Sequence, residues 1–458
     1  MNIVEFIKNK KVGFLGAGKS NLCLLNFLQG FVSEIFVSEK LPLEKIDLEI
    51  KNYSNVKYEF GGNSEEILRC DIVIKSPGIS YDFPLVKKIQ EKNIPIVNEL
   101  EVSYQFIAEK LKCVPKIIAI SGTNGKTTTT TLVGLICKSY FDKVFVGGNI
   151  GVPLIEFYDR IDKDSIIVLE VSSYQLEDII KFRPYISCLL NITPDHLEHH
   201  KTMENYINAK SRIFINQTEQ DFAVLNYDDK TVYNLQIKHL PVKKVYFSKN
   251  TQLVEGTYLE KKSKKLVFVS DKFEKKEFLP KINIPGEHNI ENILAAITCG
   301  CLIGVSEENI TKTVSEFKGV EHRLEFVREI NGVEYINDSK STNVNSTFVA
   351  LKSFDKPIHL IIGGRDKGSP YTPLIPLINS KVKSVLIIGE ATDIIFCQLK
   401  EVKSQVYKCS NLDEAIKRAY SLAKENEVVL LSPACSSFDQ FRNFEHRGKV
   451  FKELVYKL

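Results

Sequence analysis

A short segment with two glycines, residues 118–128, has the residues needed to bind the phosphates of a nucleotide. An apolar β-like run precedes it and a helix-like stretch follows it, so backbone N–H groups and a helix N-terminus would surround phosphate oxygens. Lys126 would reach the β- and γ-phosphates, and the Thr127 hydroxyl would ligate Mg²⁺. Ile120 stands where the standard pattern has its first glycine. Alone, the segment is therefore equally compatible with an ordinary strand–turn–helix corner.

Three later segments place polar side chains just after apolar runs and so support a nucleotide site. They carry Asn149, Glu170 and His196. Ligands of parallel α/β sheets bind at the carboxyl ends of the strands, so these side chains should share an edge with the phosphate loop. Glu170 and Thr127 suit Mg²⁺, which takes oxygen ligands. Histidine is a less usual ligand of this ion, and taken alone His196 is more often a hydrogen-bonded structural residue.

Composition and charge are those of an ordinary globular protein. The 458 residues are enough for about three domains. The net charge of +4 is too small to indicate nucleic acid or a membrane as a partner. The first residues lack the apolar core of a signal peptide, and no run approaches the roughly 18 apolar residues of a membrane span. Ten scattered cysteines then indicate reduced thiols, and we expect a cytoplasmic protein.

The alternation of β-like and helix-like stretches predicts an α/β protein of three domains. The predicted domains are a Rossmann-like N-terminal domain at 1–105, a central P-loop ATPase-like domain with a mostly parallel sheet at 106–319, and a C-terminal Rossmann-like domain at 320–458. Short β-like runs between about 243 and 284 predict an antiparallel patch on the central domain. Asn331 and Gly332, between two apolar runs, predict a hairpin in the third domain.

Seven motifs occur in an order that resembles the ATP-dependent muramyl ligases, which build the stem peptide of peptidoglycan. They are G-T-N-G-K-T at 122–127, E-V-S-S-Y-Q-L-E at 170–177, N-I-T-P-D-H-L at 191–197, G-E-H-N-I-E-N-I-L-A-A at 286–296, H-R-L-E at 322–325, N-D-S-K-S-T-N at 337–343 and L-S-P-A-C-S-S-F-D-Q-F at 431–441. The resemblance covers nearly the whole chain, from Gly13 to Gly448. Seven motifs in order are far more specific than any single one.

The resemblance implies an ATP-dependent amide ligase of peptidoglycan precursor synthesis, and with it a role in cell-wall biogenesis, cell shape and cell division. The motifs of the third domain most resemble those of the members that add D-glutamate to UDP-N-acetylmuramoyl-L-alanine through an acyl phosphate. ATP and two Mg²⁺ ions are the implied cofactors. The implied partners are these small molecules, without nucleic acid or membrane, and we expect a monomer.

The resemblance also assigns the catalytic centre. The implied ATP-binding residues are Gly122, Thr123, Asn124, Gly125, Lys126, Thr127, Thr128, Asn292, Arg323 and Asp338. One Mg²⁺ would use Thr127 and Glu170, and the second His196 and a carbamylated Lys210, since carbamylation gives a lysine an oxygen ligand. Lys126, His196 and Lys210 are the implied catalytic residues. His196 could also accept the amine proton, a role that conflicts with full metal ligation.

Two further groups of residues are implied to bind the substrates. Those for the UDP-linked substrate are Lys19, Ser20, Glu39, Lys40, Ser76, Pro77, Gly78, Asn149 and Ser172. Those for D-glutamate are Lys340, Thr342, Lys367, Ser437 and Phe444. The turn at 76–78 is also compatible with a simple structural turn. The turn that carries Lys367 contains an extra charged residue, so its alignment is the less certain one.

Two other functions remain open from the sequence. The first is an amide ligase of the same fold that adds L-alanine, meso-diaminopimelate or lysine, or adds L-glutamate to a folate. The D-N-P-R signature of the diaminopimelate and lysine enzymes is absent, and residues 337–340 replace the His-containing segment of the alanine-adding type, so D-glutamate is favoured. The second is an ATP-binding regulator or a transporter-type ATPase. A Walker B aspartate run would support it, but Glu170 and Val171 stand at that strand end.

Overall fold

The computed structural model describes residues 1–43, 46, 53–149, 151–235, 237, 240–284 and 286–458. Within this part of the chain the strands form three sheets, of five, nine and six strands, and helices pack against them. The predicted three-domain α/β class is therefore confirmed. Contacts divide the chain into two compact units, Met1–Pro280 with Glu291–Val314, and Lys281–Ile290 with Ser315–Leu458. The first unit contains two of the sheets, and the domain boundary near residue 105 stays a prediction.

The first sheet is parallel, with the strand order β3-β2-β1-β4-β5. Its strands are β1 (Lys11–Leu15), β2 (Glu34–Glu39), β3 (Val56–Phe60), β4 (Ile72–Lys75) and β5 (Ile96–Val97), and the accompanying helices are α1 (Ile3–Phe6), α2 (Lys19–Leu28), α3 (Pro84–Glu91) and α4 (Glu99–Leu111). All five strands run in the same direction, but the order in which the chain adds them reverses at β1: β2 and β3 lie on one side of it, and β4 and β5 on the other. Ligands of such sheets bind in the crevice beside this reversal, so the turns after these strands form a candidate site.

The second sheet has the order β14-β13-β12-β11-β10-β9-β6-β8-β7 and is parallel from β7 to β12. Its strands are β6 (Lys116–Ser121), β7 (Val144–Gly148), β8 (Ile166–Glu170), β9 (Ile186–Leu189), β10 (Phe222–Asn226), β11 (Lys243–Ser248), β12 (Gly256–Glu260), β13 (Lys265–Val269) and β14 (Lys276–Phe278). The helices that follow along the chain are α5 (Lys126–Lys138), α6 (Ser173–Glu177), α7 (Leu197–His200), α8 (Met203–Ser211), α9 (Lys230–Tyr233), α10 (Glu287–Ile303) and α11 (Glu307–Glu316). Strands β6, β8, β9 and β10 are almost wholly buried, as expected for a parallel sheet covered on both faces.

The antiparallel patch begins one strand later than the sequence predicts. Strands β12, β13 and β14 pair antiparallel, but β12 runs parallel to β11. The register pairs Tyr246 with Gly256, so β12 starts beside the second half of β11. The connection at 249–255 therefore has to cover only a short return path, and it makes a parallel pair without the long crossover that such pairs usually need.

The third sheet has the order β15-β16-β20-β17-β18-β19 and is parallel except for the β15–β16 hairpin. Its strands are β15 (Glu325–Ile330), β16 (Val333–Asn337), β17 (Ile358–Gly363), β18 (Val382–Ile388), β19 (Gln405–Lys408) and β20 (Val428–Leu431), and its helices are α12 (Val344–Lys352), α13 (Ile375–Lys381), α14 (Thr392–Gln398), α15 (Leu412–Leu422) and α16 (Phe444–Tyr456). Asn331 and Gly332 lie at φ 50° and 75° in the hairpin turn. Positive φ at both central residues suits the right-handed twist of the strands, so the predicted hairpin is confirmed.

Candidate active site

The phosphate loop joins β6 to α5, and its shape requires its two glycines. Gly125 is the N-cap of α5 and lies in the left-handed region, at φ 85°. A Cβ atom at Gly125 would lie 2.2 Å from Asn292 Oδ1. Gly122 lies at φ 153°, and its Cβ would lie 3.0 Å from Leu190 Cβ. The glycines therefore permit the tight turn that leads into α5, and helix N-termini of this kind bind anions.

Asn191, just after β9, holds the phosphate loop in place through hydrogen bonds to Thr123 and Asn124. Its carbonyl accepts a hydrogen bond from Thr123 N at 2.9 Å. Its side chain accepts one from Asn124 N at 2.8 Å and donates one to Asn124 O at 3.0 Å. The Thr123 hydroxyl lies 3.0 Å from the Tyr206 hydroxyl of α8. The loop is thus held by hydrogen bonds to residues that lie 67 to 83 positions further along the chain.

Two lysines lie on the same backbone carbonyl of the loop. Lys126 Nζ donates to Gly122 O at 2.9 Å, and Lys210 Nζ donates to it at 2.8 Å. Lys210 is only 2% exposed, and its Nζ lies 4.8 Å from the centre of the Tyr206 ring. Burial, followed by the charge of Lys126, lowers the pKa of Lys210 well below its usual range. The structure therefore places a buried amine with reduced basicity beside the phosphate loop.

The carboxylate of Glu170 connects the loop with the neighbouring strand end. Thr127 Oγ1 donates to Glu170 Oε2 at 2.8 Å, and Asn149 Nδ2 donates to Glu170 Oε1 at 2.9 Å. Glu170 is 2% exposed and ends β8, while Asn149 follows β7. The structure thus brings together the residues that the sequence predicts for the first Mg²⁺. Their oxygen atoms are the type of donor that this ion takes.

His196 is the N-cap residue of α7. Its backbone lies in the left-handed region at φ 54°, and its side chain is 40% exposed. Its ring nitrogens lie 3.6 Å from Asp195 Oδ2 and 3.7 Å from Glu198 Oε1. Its ring centre lies 6.4 Å from that of Tyr206, the same ring that Lys210 contacts. His196 and Lys210, the predicted ligands of the second Mg²⁺, therefore flank one aromatic side chain.

A cavity of about 680 Å³ opens at the carboxyl edge of the first sheet. It is lined by Gly16, Gly18, Glu39, Lys40, Asn63, Ser76, Ile79, Ser80, Asp82, Phe83, Pro84 and Lys201. Three of the residues predicted for the UDP-linked substrate, Glu39, Lys40 and Ser76, are among them. Lys19 lies at the exposed start of α2 and donates to Gly151 O at 2.6 Å. Ser172 is elsewhere, as the N-cap of α6, with Gln175 completing a capping box.

Asn21 follows the turn after β1. Gly16 and Gly18 match the first two glycines of the G-x-G-x-x-G pattern of dinucleotide-binding proteins, and Asn21 takes the place of the third. Asn21 Nδ2 donates to Gly16 O at 2.8 Å and to Ser76 Oγ at 3.0 Å. Glu39 accepts from Ala17 N at 2.7 Å. Gly16 lies at φ 92°, and a Cβ there would lie 2.5 Å from Ser76 Oγ. Polar side chains thus join the three turns of the crevice.

In the second unit, the residues predicted for D-glutamate gather around strand ends of the third sheet. Lys367 Nζ lies 3.5 Å from Thr342 Oγ1, and Lys340 Nζ lies 5.8 Å from the centre of the Phe444 ring. Ser437 is buried on the turn after β20. The structure thus brings the lysines, a hydroxyl and an aromatic ring into one region of that unit. Such a set suits a small dicarboxylate.

The charged turn after β17 has a simple local explanation. The Arg365 guanidinium donates two hydrogen bonds to the Glu390 carboxylate, through Nε and Nη2 at 3.0 and 3.1 Å. Asp366 accepts from the Tyr371 hydroxyl at 2.7 Å and from Gly368 N at 3.1 Å. Arg365 and Asp366 are therefore each bound to a partner of their own, Glu390 and Tyr371. Lys367 is instead directed toward Thr342.

Asp338, predicted to close over ATP, is fully enclosed in the second unit. It accepts from Leu324 N at 3.2 Å and from Ser432 Oγ at 2.8 Å. Burial raises its pKa to about 6, although these hydrogen bonds and the charge of Arg323 oppose the shift. Arg323 is half-buried. Asp338 therefore fixes the segment that carries Arg323 against the end of β20.

Family models match most of the chain. The MurD N-terminal domain matches residues 11–84, the Mur ligase middle domain matches 120–300, and the Mur ligase, glutamate ligase domain matches 322–435. Two curated relatives, from Koribacter versatilis and from Thermoanaerobacter sp. (strain X514), are both named UDP-N-acetylmuramoylalanine–D-glutamate ligase. Each is 42% identical to this protein over 99% of this chain, and the match covers 98% and 99% of their own lengths. The chain belongs to the Mur ligase family.

Solved structures of other Mur ligases share the fold. UDP-N-acetylmuramate–alanine ligase MurC from Thermotoga maritima has a TM-score of 0.59 and 20% identity, with 98% of this chain and 99% of that chain covered. MurF ligase from the same organism, in complex with ADP, has a TM-score of 0.58 and 15% identity, with 99% and 97% covered. At this identity the likeness shows the three-domain Mur ligase fold alone.

The structure of this Mur ligase adds site residues that the sequence did not reveal. Asn191 and Tyr206 hold the phosphate loop, and Lys201 lines the cavity beside the first sheet, where it pairs with Asp82 at 3.3 Å. Arg447 supports the turns around the predicted amino-acid site. Asn191 stands in the quoted motif at 191–197 and could have been found there, but the other three lack a local signal.

Proposed function

We propose that this Mur ligase joins D-glutamate to UDP-N-acetylmuramoyl-L-alanine, at the expense of ATP, in peptidoglycan precursor synthesis. The observation that carries the proposal is the match, over 99% of the chain, to relatives named for this reaction. The phosphate loop with Lys126, and the acidic strand end beside it, supply what an ATP-dependent step needs. The product would contribute to cell-wall biogenesis, cell shape and cell division.

The cavity beside the first sheet is our proposed site for the uridine diphosphate group. Helix α2 begins there at Gly18 without a side-chain cap, so its first N–H groups can face a diphosphate. Lys40 and Lys201 line the same cavity and would add positive charge. Lys19, Ser20, Pro77 and Gly78 border the same turns in sequence and complete the proposed set.

The residues near the loop fit two Mg²⁺ ions. Thr127 and Glu170 would hold the first, and His196 and a carbamylated Lys210 the second. Carbamylation needs a neutral amine, and burial together with the charge of Lys126 lowers the pKa of Lys210 and so favours that form. The ions would neutralise charge on the transferring phosphoryl group. Crystallographic or intact-mass evidence of an unmodified Lys210 in an active enzyme loaded with Mg²⁺ would contradict the carbamylation.

The proposed reaction depends on positioning more than on covalent chemistry by protein groups. The carboxylate of the muramoyl-alanine substrate attacks the γ-phosphorus of ATP, and ADP leaves. Lys126 offsets the repulsion between the two anions, and Asn149 and Ser172 would orient the acceptor end. The amine of D-glutamate then attacks the acyl carbon, the tetrahedral intermediate collapses, and inorganic phosphate leaves as the amide forms. His196 would accept the amine proton only when it is not bound to the second Mg²⁺.

The remaining assignments concern the amino acid, the nucleotide and the cell. Lys340, Thr342 and Lys367, with Ser437 and Phe444, would bind D-glutamate. Arg323, Asp338 and Asn292 would complete the ATP site. We propose a cytoplasmic monomer that acts on small molecules only. Among the described residues, no helix combines the length and the apolar character needed to cross a membrane.

The test is phosphate release with Mg-ATP and UDP-N-acetylmuramoyl-L-alanine, measured in parallel with D-glutamate, L-glutamate, L-alanine and meso-diaminopimelate. We expect release with D-glutamate alone, together with a product whose mass matches the amide. Release with another amino acid would refute the proposed specificity for D-glutamate, but it would still support an ATP-dependent ligase. Phosphate release without either substrate would favour the ATPase alternative, and no release in any mixture would refute the ligase.

A further inference from the structure

A cluster of one carboxylate and two imidazoles lies near His196 but is distinct from the proposed Mg²⁺ ligands. Glu177 ends α6, and His199 and His200 end α7. Glu177 Oε2 lies 2.9 Å from His199 Nε2, and Glu177 Oε1 lies 3.0 Å from His200 Nδ1. One ligand atom from each of the three residues lies within 4.8 Å of the other two.

We propose that Glu177, His199 and His200 bind a transition-metal dication of the Zn²⁺ type. Imidazole nitrogens suit Zn²⁺, Co²⁺ and Ni²⁺, whereas Mg²⁺ takes oxygen ligands. Two histidines and one glutamate, with water in the fourth position, form a known tetrahedral zinc arrangement. Bonds of about 2.0–2.1 Å at tetrahedral angles place neighbouring ligand atoms roughly 3.3 Å apart. The separations of 2.9 and 3.0 Å involve different oxygens of Glu177, and with one atom taken from each residue all three lie within 4.8 Å of one another.

The surroundings orient both rings for this role. His200 Nε2 lies 2.9 Å from Ser173 Oγ, and this outer hydrogen bond leaves Nδ1 facing Glu177. Outer partners of this kind fix the tautomer of a ligating histidine. The Tyr174 ring centre lies 4.4 Å from that of His199 and 5.4 Å from that of His200. The ligand atoms are therefore pre-positioned by packing as well as by hydrogen bonds.

Charge and access are also compatible with a bound cation. The nearby cation Lys75 is paired with Asp178 at 3.1 Å, with both side chains fully buried. The His199 and Glu177 side chains are 8% and 16% exposed, so a small ion and a water molecule can reach them. A bound ion would join the end of α6 to the end of α7.

Co²⁺ provides the test, because its visible absorption reports a tetrahedral nitrogen and oxygen environment directly. The full-length chain without an affinity tag is titrated with Co²⁺, and Zn²⁺ is measured separately by equilibrium dialysis, both without ATP. Cys113 and Cys397, which are exposed, are replaced by serine throughout so that thiols do not bind the metal. The variants are His199→Gln, Glu177→Gln and Ser173→Ala, and the matched control is His196→Ala.

We expect one Co²⁺ per chain, displaced by Zn²⁺, with unchanged binding in the control. His199→Gln and Glu177→Gln should abolish the absorption, and Ser173→Ala should weaken binding by about 10- to 100-fold. Far-UV circular dichroism shows which variants are folded, and any folded one of the three decides the question. Binding that survives in these variants but is lost in His196→Ala would place the ion at the Mg²⁺ ligands and overturn the proposal. No tetrahedral absorption in the parent chain would overturn it as well, and would leave a hydrogen-bonded cluster.

Discussion

Asn191→Ala should loosen the phosphate loop without removing any group predicted to touch ATP. The substitution deletes the two side-chain hydrogen bonds to Asn124, of 2.8 and 3.0 Å, and keeps the main-chain bond from Thr123. At a net value of about 1 kcal/mol for each bond, the ordered loop loses about 2 kcal/mol. ATP would then have to order the loop on binding, so its KM should rise by up to roughly 30-fold. The value of kcat should change less, because Lys126 and Glu170 remain.

The assay is phosphate release against ATP concentration at saturating concentrations of the other substrates. Asn216→Ala is a matched control, because the Asn216 side chain also makes two hydrogen bonds, to Ile180 O and Phe182 O, both at 3.0 Å. The two acceptors, Ile180 O and Phe182 O, precede β9 in the chain, whereas Asn191 follows β9 and contacts the phosphate loop. Urea unfolding of both variants measures the general loss of stability. An unchanged KM for ATP in Asn191→Ala, or an equal rise in Asn216→Ala, would refute the idea that these bonds pre-order the loop.

Three further predictions concern catalysis, pH and the amino-acid site. Lys126→Ala should abolish phosphate release and keep the native circular dichroism; a near-native rate would remove Lys126 from the mechanism. Burial raises the pKa of Glu99 from 4.5 to about 7, so this group costs the folded state up to about 3 kcal/mol as the pH rises through that window. The urea midpoint of the parent chain should therefore fall relative to that of Glu99→Gln between pH 5 and 8, and a constant difference would contradict the shift. Arg447→Met should raise the KM for the amino acid at least about tenfold and leave the KM for ATP unchanged, since it removes the hydrogen bonds that a charged guanidinium donates to Ser339 and Cys435. Arg418→Met, at a partly exposed arginine of α15, is its control, and equal effects of the two would show that Arg447 has no specific role.

The strand ends and their polar residues could be predicted because their signals are local. The phosphate loop, Glu170 and the hairpin at 331–332 each depend on a few consecutive residues that follow an apolar run. In a parallel sheet those runs end at one edge, so placing Glu170 beside Thr127 needs only the sheet class. The late start of the antiparallel patch was missed, because the direction of β12 depends on how a seven-residue connection folds back and not on its own sequence.

The support of the predicted amino-acid site shows what local patterns cannot reveal. Arg447 is 1% exposed, and its guanidinium donates to Ser339 Oγ at 3.0 Å, to Ser339 O at 2.9 Å and to Cys435 O at 3.2 Å. In sequence it is one of several charged residues at the start of α16. Only the packing of that helix against β15 and β16 turns it inward, where it joins the turn before Lys340 to the turn before Ser437.

The burial of Lys210 is a second feature that the neighbouring residues in the sequence do not predict. Most helix lysines are exposed, and nothing in the residues around Lys210 predicts an exposure of 2%. Its burial depends on Tyr206 one turn earlier, and on Gly122, 88 positions away, whose carbonyl accepts from its amine. A charged ammonium there would meet Lys126 at the same carbonyl, so the fold favours either loss of the charge or its replacement by an anion. The family resemblance implies carbamylation, and the packing supplies a physical reason for it. The modified side chain would turn a repulsion between two lysines into an attraction.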